Sequence, residues 1–310
     1  MLTFGPVPSR RLGRSLGINN IPPKACSYSC IYCQVGPTKT TEIVPRTFYT
    51  PEQILLEVEK HLSQLQKNGE QVDYLTFVPD GEPSLDINLS ETIELLQPLN
   101  IPIAVISNAS LIWREEVRET LAKADWVSFK VDAIDETLWR QVNRPHPFLV
   151  LQSILEGMLT FAKNFSGTLA TESMLIRAVN DHDKAVNALA DFLKKLEPDR
   201  AYLSIPTRPP TEKSVHAPDE ANLNRIFQIL SQQVNHLELL TGYEGNAFAF
   251  TGNVSEDLLS ITSVHPMREE AVGALLAKSG ADWELITQLI NQGHLIQTDY
   301  EGKKFYVRRI

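Results

Sequence analysis

Residues 51–83, PEQILLEVEKHLSQLQKNGEQVDYLTFVPDGEP, hold one repeat of the pattern from which the fold is read. Thr50 stands where a helix N-cap belongs, and Pro51 falls in the first turn, where its missing N–H costs nothing. Ile54, Leu55, Val58, Leu62 and Leu65 then recur at helical spacing. Residues 72–78 switch to the composition of a strand, which the turn Pro79-Asp80-Gly81 ends. The alternation continues downstream. Helices are expected near 89–98, 111–123, 148–164, 183–196 and 218–234, and strands near 101–108, 126–131, 168–178, 201–206 and 237–240. Short strands separated by longer helices imply a parallel α/β sheet, and about six such repeats imply a partial or full barrel. Functional residues should then follow the strands directly. A doubly wound sheet is the alternative, but no G-x-G-x-x-G follows a first strand, and Gly13 and Gly17 have the wrong spacing for that fingerprint.

A chain of 310 residues can bury one sizeable core and carry one small extra domain. With 43% hydrophobic and 22% charged residues and no long biased tract, it is not disordered, collagenous or a coiled coil. The net charge of −9 argues against non-specific coating of nucleic acid. That charge is uneven. Arg10, Arg11, Arg14, Lys24, Lys39 and Arg46 face only Glu42 within residues 1–46. The basic strip suits an anionic cosubstrate or a phosphate-bearing partner, or else solvates one end of a barrel. The opening residues, with Pro6 and Pro8 ahead of the arginines, do not form a signal peptide, and no apolar run reaches membrane-spanning length. A cytoplasmic protein without a membrane segment, monomeric or dimeric, is expected.

From residue 261 the texture changes. One helix ends at Gly280, a second ends at Gly293, and a hairpin turns at Glu301-Gly302. The division expected is therefore a barrel domain over 1–260 and a winged helix-turn-helix-like domain over 261–310. Lys303, Lys304, Arg308 and Arg309 gather on the hairpin, although a plain cap on the barrel has the same pattern.

Cys26, Cys30 and Cys33, in CSYSCIYC, form a C-x3-C-x2-C array with no fourth cysteine in the chain. A structural zinc site would need another ligand, and the nearest histidine, His61, sits in an expected helix. A disulfide with one spare thiol is a second alternative. A four-iron cluster held by three cysteines accounts better for the array, because it leaves one iron open to a ligand.

This array, with Tyr32 just before its third cysteine, resembles the radical S-adenosylmethionine (SAM) superfamily. The resemblance covers most of residues 1–260. FGPVPSRRLGRSLGINN, TFVPDGEPSL, VSFKVDAIDETLWRQVNRP, SIPTRPP and HPMREEAV are similar to iron–sulfur oxidoreductases related to the wybutosine-synthesis enzymes, which rebuild a guanosine in transfer RNA. It implies a radical-SAM-type partial (β/α)6 barrel with a [4Fe-4S] cluster on Cys26, Cys30 and Cys33. It further implies reductive cleavage of SAM to a 5′-deoxyadenosyl radical, which abstracts a hydrogen atom from substrate. The electron would come from a donor such as flavodoxin or ferredoxin. RNA docked through the C-terminal domain is the leading substrate; a small metabolite, or a redox-sensing DNA-binding regulator, is the alternative.

Gly81, Glu82 and Pro83 match the motif that contacts the methionine amino group in this superfamily. Ser107 and Asn108 end a strand where they can bind the ribose or carboxylate of SAM, or else cap a helix. Lys130 suits an anion such as the SAM carboxylate, or a pairing with Asp132. Glu172 lies inside a strand and is a candidate for the ribose, unless it merely pairs with Arg177. Arg177, Thr207 and Arg208 are candidates for the substrate. Wybutosine enzymes carry further cysteines for a second cluster. All three here belong to one array, so that particular reaction is not expected.

Overall fold

The structure, a computed structural model, describes residues 2–242 and 245–309. Its large sheet begins where the sequence pattern is weakest. β1 (Thr3–Ser9) and β2 (Gly13–Ile18) form an antiparallel hairpin that strand periodicity did not reveal, since prolines, glycines and arginines break it. Pro6 and Pro8 are tolerated because β1 is an edge strand. His61 pins this hairpin, its ring nitrogens lying 2.8 Å from Thr3 Oγ1 and 3.0 Å from the Gly5 carbonyl oxygen. Burial lowers its pKa and favours the neutral ring. His61 is thereby committed to the hairpin rather than to a metal.

From β2 onward every neighbour is parallel: β3 (Tyr74–Phe77), β4 (Ile103–Ser107), β5 (Trp126–Lys130), β6 (Thr168–Met174), β7 (Arg200–Ser204) and β8 (Leu237–Leu240). The spatial order equals the chain order from edge to edge. A doubly wound sheet would reverse order at a switch point, so that alternative is excluded. The result is an α/β partial barrel. β2 makes the parallel run one strand longer than the six expected strands, and the cysteine loop is the first connection at its working edge.

Helices α1 (Pro51–Lys67), α2 (Leu89–Leu96), α3 (Glu115–Leu121), α4 (Glu136–Asn143), α5 (Leu151–Asn164), α6 (Asp183–Leu196) and α7 (Glu220–Ser231) connect the strands. α1 starts as read: Thr50 Oγ1 accepts from the Gln53 N–H, and the Gln53 side chain accepts from the Thr50 N–H. Its buried stripe is Ile54, Val58 and Leu65. α4 was not anticipated. Asp135 caps it by accepting from the Leu138 N–H at 3.0 Å, and Leu138, Trp139 and Val142 are buried.

The remainder has its own core. α8 (Val254–Val264), β9 (Met267–Arg268), α9 (Glu269–Ser279), α10 (Trp283–Asn291), β10 (Leu295–Tyr300) and β11 (Lys303–Arg308) enclose Phe248, Leu258, Ile261, Leu275, Ile286 and Tyr306. The small sheet has the order β10-β11-β9. Gly280, at φ 71°, closes α9, and Glu301 and Gly302 both take positive φ in the hairpin turn. α8 is a further unanticipated element, and it packs against both β1 and β11. Among the described residues no helix is long and apolar enough to cross a membrane.

Phe305 is fully buried in β11. Phe305→Ala should destabilise the C-terminal unit by about 3–5 kcal/mol. Trp283, whose ring centre is 5.9 Å from that of Tyr306, supplies a fluorescence signal for its unfolding. An unchanged midpoint for this signal would mean that the unit does not depend on its own core.

Candidate active site

Parallel strands end together, so the loops that follow them converge. Here they surround a cavity of about 300 Å³. The cysteine loop after β2 brings Cys26, Cys30, Tyr32 and Cys33 to its wall, and β3 is followed by Asp80 and Gly81. β4 supplies Ser107 and then Asn108, β5 and β6 supply Lys130 and Glu172, and Thr207 and Arg208 follow β7. Most residues singled out from sequence therefore meet at one place. Glu82, Pro83 and Arg177 do not line it.

The three cysteines are free thiols, partly exposed. Each sulfur has a side-chain N–H donor close by: Asn108 Nδ2 at 3.6 Å from Cys26, Asn143 Nδ2 at 3.4 Å from Cys30, and Lys24 Nζ at 3.7 Å from Cys33. Burial pushes the Cys26 thiol up to about 12 and the Cys30 thiol higher still. Thiols so placed ionise only when a metal brings positive charge to them. They are not gathered into the tight set that one metal ion needs, and no such group of His, Cys, Asp or Glu occurs among the described residues. Three thiols on one wall make an all-sulfur donor set, the ligand chemistry that an iron–sulfur cluster takes.

Gly81 lets the strand end touch the cysteine loop. A Cβ there would lie 2.1 Å from the Ala25 carbonyl oxygen, which accepts from the Glu82 N–H at 2.9 Å. The Lys24 N–H donates to the Asp80 carbonyl at 2.6 Å, completing a backbone clasp.

Glu82 lies behind this wall with no exposed surface. Its Oε1 accepts from the Ser84 N–H at 3.0 Å, Ser84 Oγ at 2.6 Å and Ser107 Oγ at 2.7 Å. Oε2 accepts from the Asn108 N–H at 2.7 Å. In this structure its carboxylate ties the end of β4 to that of β3. Ser107 and Asn108 cap no helix; α3 begins later, at Glu115.

Glu172 pairs with Lys130 at 2.5 Å and with Arg11, and not with Arg177, which is exposed. Burial alone would push its carboxyl up, but Arg11 and Lys130 outweigh that and hold it at about 2. Asp132 does not pair with Lys130. It accepts from Tyr32 Oη at 2.5 Å, Asn143 Nδ2 at 2.7 Å and the Met174 N–H at 2.8 Å. Arg208 donates to Gln34 Oε1 at 3.0 Å. The C-terminal unit reaches this region too: Val264 lines the cavity, and Tyr300 Oη donates to the Pro206 carbonyl at 3.2 Å.

Of the basic strip read from sequence, Arg10, Arg11 and Lys24 reach the wall; sequence reading gave no role to Asp80 and Val264 on the wall, or to Asn143 behind it. Asp80 had a signal, since it sits between the strand and Gly81 in PDGEP. Asn143 had none beyond its place in a quoted segment.

The fold and site define an α/β partial barrel with three free thiols at its working edge. The chain belongs to the radical SAM superfamily, whose family model matches residues 20–193. "UPF0026 protein MJ1312" of Methanocaldococcus jannaschii is 50% identical over 100% of this chain and 96% of its own length. A "UPF0026 protein" of Helicobacter pylori (strain J99) is 36% identical over 69% of this chain and 68% of its own. Among solved structures, TYW1 with a lysine-pyruvate adduct bound shares the fold with a TM-score of 0.56, at 16% identity, over 71% of this chain and 74% of that one. Membership brings the iron–sulfur oxidoreductase class, with SAM and a [4Fe-4S] cluster as the family's cofactors.

Gly81→Ala should part the cysteine loop from β3, because the obstructing atom is backbone. Iron bound after anaerobic reconstitution should fall well below the unaltered protein while helix content stays constant; full iron loading would show that the clasp is dispensable. Glu172 has a depressed pKa, so its stabilisation is complete above the ordinary carboxylate value of 4.5 and is lost as pH falls toward about 2. The stability difference between the unaltered protein and Glu172→Gln should accordingly be constant above about pH 5 and shrink below it. A difference that does not vary with acid would contradict the pairing.

Proposed function

We propose that this protein is a radical SAM enzyme that reductively cleaves SAM and removes a hydrogen atom from an anionic substrate. The observation that carries the reading is one cavity lined by Cys26, Cys30 and Cys33 together with Arg10, Arg11, Lys24, Lys130 and Arg208, against only Asp80 and Glu172. Such a concentration of cations in a chain of net charge −9 favours a ligand carrying phosphate or carboxylate. When bound, the cluster and SAM supply one-electron reduction and a radical able to abstract hydrogen. Everything else falls to the chain. Cys26, Cys30 and Cys33 would hold the cluster, and Lys24, Asn108 and Asn143 direct N–H groups at the cysteine sulfurs. Ser107, Asn108, Lys130 and Glu172 form the SAM side of the wall. Glu82 acts through Ser107 and Asn108 as a positioning residue. Thr207 and Arg208, on the loop that Tyr300 touches, face the substrate.

All three cysteines belong to one array, so the electron comes from outside, from a donor such as flavodoxin or ferredoxin. We read the C-terminal unit as winged-helix-like, from its order α8, β9, α9, α10, β10, β11. The division at residue 260 then falls within α8, the element shared with the barrel. Lys304 and Arg308 are engaged inside the unit, with Glu269 at 3.3 Å and the Leu259 carbonyl at 3.2 Å. RNA docking would thus rest on fewer cations than the hairpin sequence suggests. Nucleic acid retained through a high-salt wash would support RNA; its absence, with turnover of a small anion, would favour the metabolite reading.

Anaerobic reconstitution should yield iron and sulfide matching one [4Fe-4S] cluster per chain, and reductant with SAM should then release 5′-deoxyadenosine. Zinc bound stoichiometrically, or no SAM cleavage by a fully loaded protein, would defeat the reading. Asn143→Leu removes one N–H donor to sulfur and should move the cluster potential to more negative values in a redox titration followed by electron paramagnetic resonance.

A further inference from the structure

Of the eight large apolar side chains exposed among the described residues, Val44, Trp113, Phe148 and Val150 lie on three segments bonded to the cysteine loop or continuing it. The Glu42 N–H donates to the Cys26 carbonyl at 2.9 Å, two residues before Val44. The His146 N–H donates to the Ser27 carbonyl at 2.9 Å, two residues before Phe148. Ser110 Oγ lies 2.6 Å from Ser27 Oγ, and Arg114 Nη2 donates to the Ile43 carbonyl at 3.3 Å, so Trp113 sits between two such ties. Phe148 and Val44 are 82% and 69% exposed, and none of the four lines the cavity. Exposed apolar groups scattered singly need no explanation, but a gathered set with a polar rim marks a contact surface. Here the rim is basic. Residues 27–50, 108–114 and 143–150 carry Lys39, Arg46, Arg114 and Arg144 against Glu42 alone. Glu116 and Glu212 pair with Arg114 and Arg144 from outside these segments.

We propose that a small acidic electron-transfer protein, carrying a flavin or an iron–sulfur group, docks on this face around Val44, Trp113, Phe148 and Val150. This rests on the reading that Cys26, Cys30 and Cys33 hold a cluster. With every cysteine in one array, the chain has no second thiolate centre to relay an electron, so the carrier itself must come close. The cavity side of the thiols is given to ligands, which leaves the outer side of the loop for the carrier. A basic rim in a chain of net charge −9 draws an acidic partner to this face in preference to the rest of the surface. Redox encounters are brief and bury less than about 1,200 Å², an area that a few apolar residues and a charged rim can supply. The reduced carrier loses one electron and the cluster gains it; no bond is made or broken.

The test uses the cluster-loaded full chain, with a bacterial flavodoxin and a [4Fe-4S] ferredoxin as probes. Val44→Asp and Phe148→Asp alter exposed side chains off the cavity wall, and Leu56→Asp, exposed on α1, is the control. Equilibrium affinity for the oxidised carrier is measured first, since it involves no turnover. It should fall by about ten-fold or more in Val44→Asp and Phe148→Asp, the scale of a like charge set into an interface. It should fall less in Phe148→Lys and stay unchanged in Leu56→Asp. Reduction of the cluster by the reduced carrier should slow in parallel, while dithionite, which needs no docking surface, should reduce every variant equally. Undiminished carrier affinity in Val44→Asp and Phe148→Asp would overturn the proposal, as would an equal loss in Leu56→Asp or in Phe148→Lys. Failure of either carrier to bind an unaltered protein that dithionite reduces would also overturn it. So would a dimer that the two substitutions convert to monomer with carrier affinity kept, because a second copy would then own this face. A chain that takes up no iron, or that dithionite leaves unreduced, would instead defeat the cluster reading on which the proposal rests.

Discussion

Asp132, just beyond β5, is 5% exposed and receives donors from three separate parts of the chain: Tyr32 in the cysteine loop, Asn143 at the end of α4 and the Met174 N–H at the end of β6. Burial pushes its pKa upward, and Lys130 and these donors work against that. Removing any one donor would leave part of a buried carboxylate uncompensated, which costs more than the bond itself contributes. The cysteine loop has little regular structure of its own, so its geometry depends on such anchors. Through Asn143 the same carboxylate also sets a donor against Cys30.

Glu82 performs the corresponding task on the opposite side. It draws Ser107 and the Asn108 N–H toward the end of β3, and Asn108 in turn reaches Cys26. Two buried acids thus stand behind the donors to Cys26 and Cys30, while neither lines the cavity. The wall itself carries Asp80, Lys24, Lys130, Glu172 and Arg208, with Lys130 paired to Glu172, Lys24 beside Asp80 and Arg208 bonded to Gln34. Buried carboxylates that collect several donors make rigid supports for the loops they join.

The C-terminal unit is bound into this arrangement as well as possessing its own core. α8 lies against β1, Lys278 pairs with Glu70, and Tyr300 holds the Pro206 carbonyl beside the cavity. A cap on the barrel and a docking unit were alternatives at the level of sequence. In the structure the unit touches the loop that carries Thr207 and Arg208, through Tyr300 and the Pro206 carbonyl.

The sequence alone determined what depends on neighbours along the chain. The Thr50 cap, the apolar stripe of α1, the strand at 237–240 and the C-x3-C-x2-C array are all local patterns, and the alternation of elements was enough to imply a parallel α/β barrel. The hairpin β1–β2, α4 and α8 escaped because their periodicity is short or interrupted by Gly, Pro and polar residues. Tertiary structure decided which acid does what. Glu82 and Asp80 are two residues apart, yet folding brings Ser107 and the Asn108 N–H to the first and sets the Lys24 ammonium 3.5 Å from the second. Glu172 likewise finds Arg11, 161 positions away, rather than Arg177 on its own segment. Side-chain chemistry states what a residue can bind; the partners that have already claimed it are assembled only when distant strands meet at one edge of the sheet.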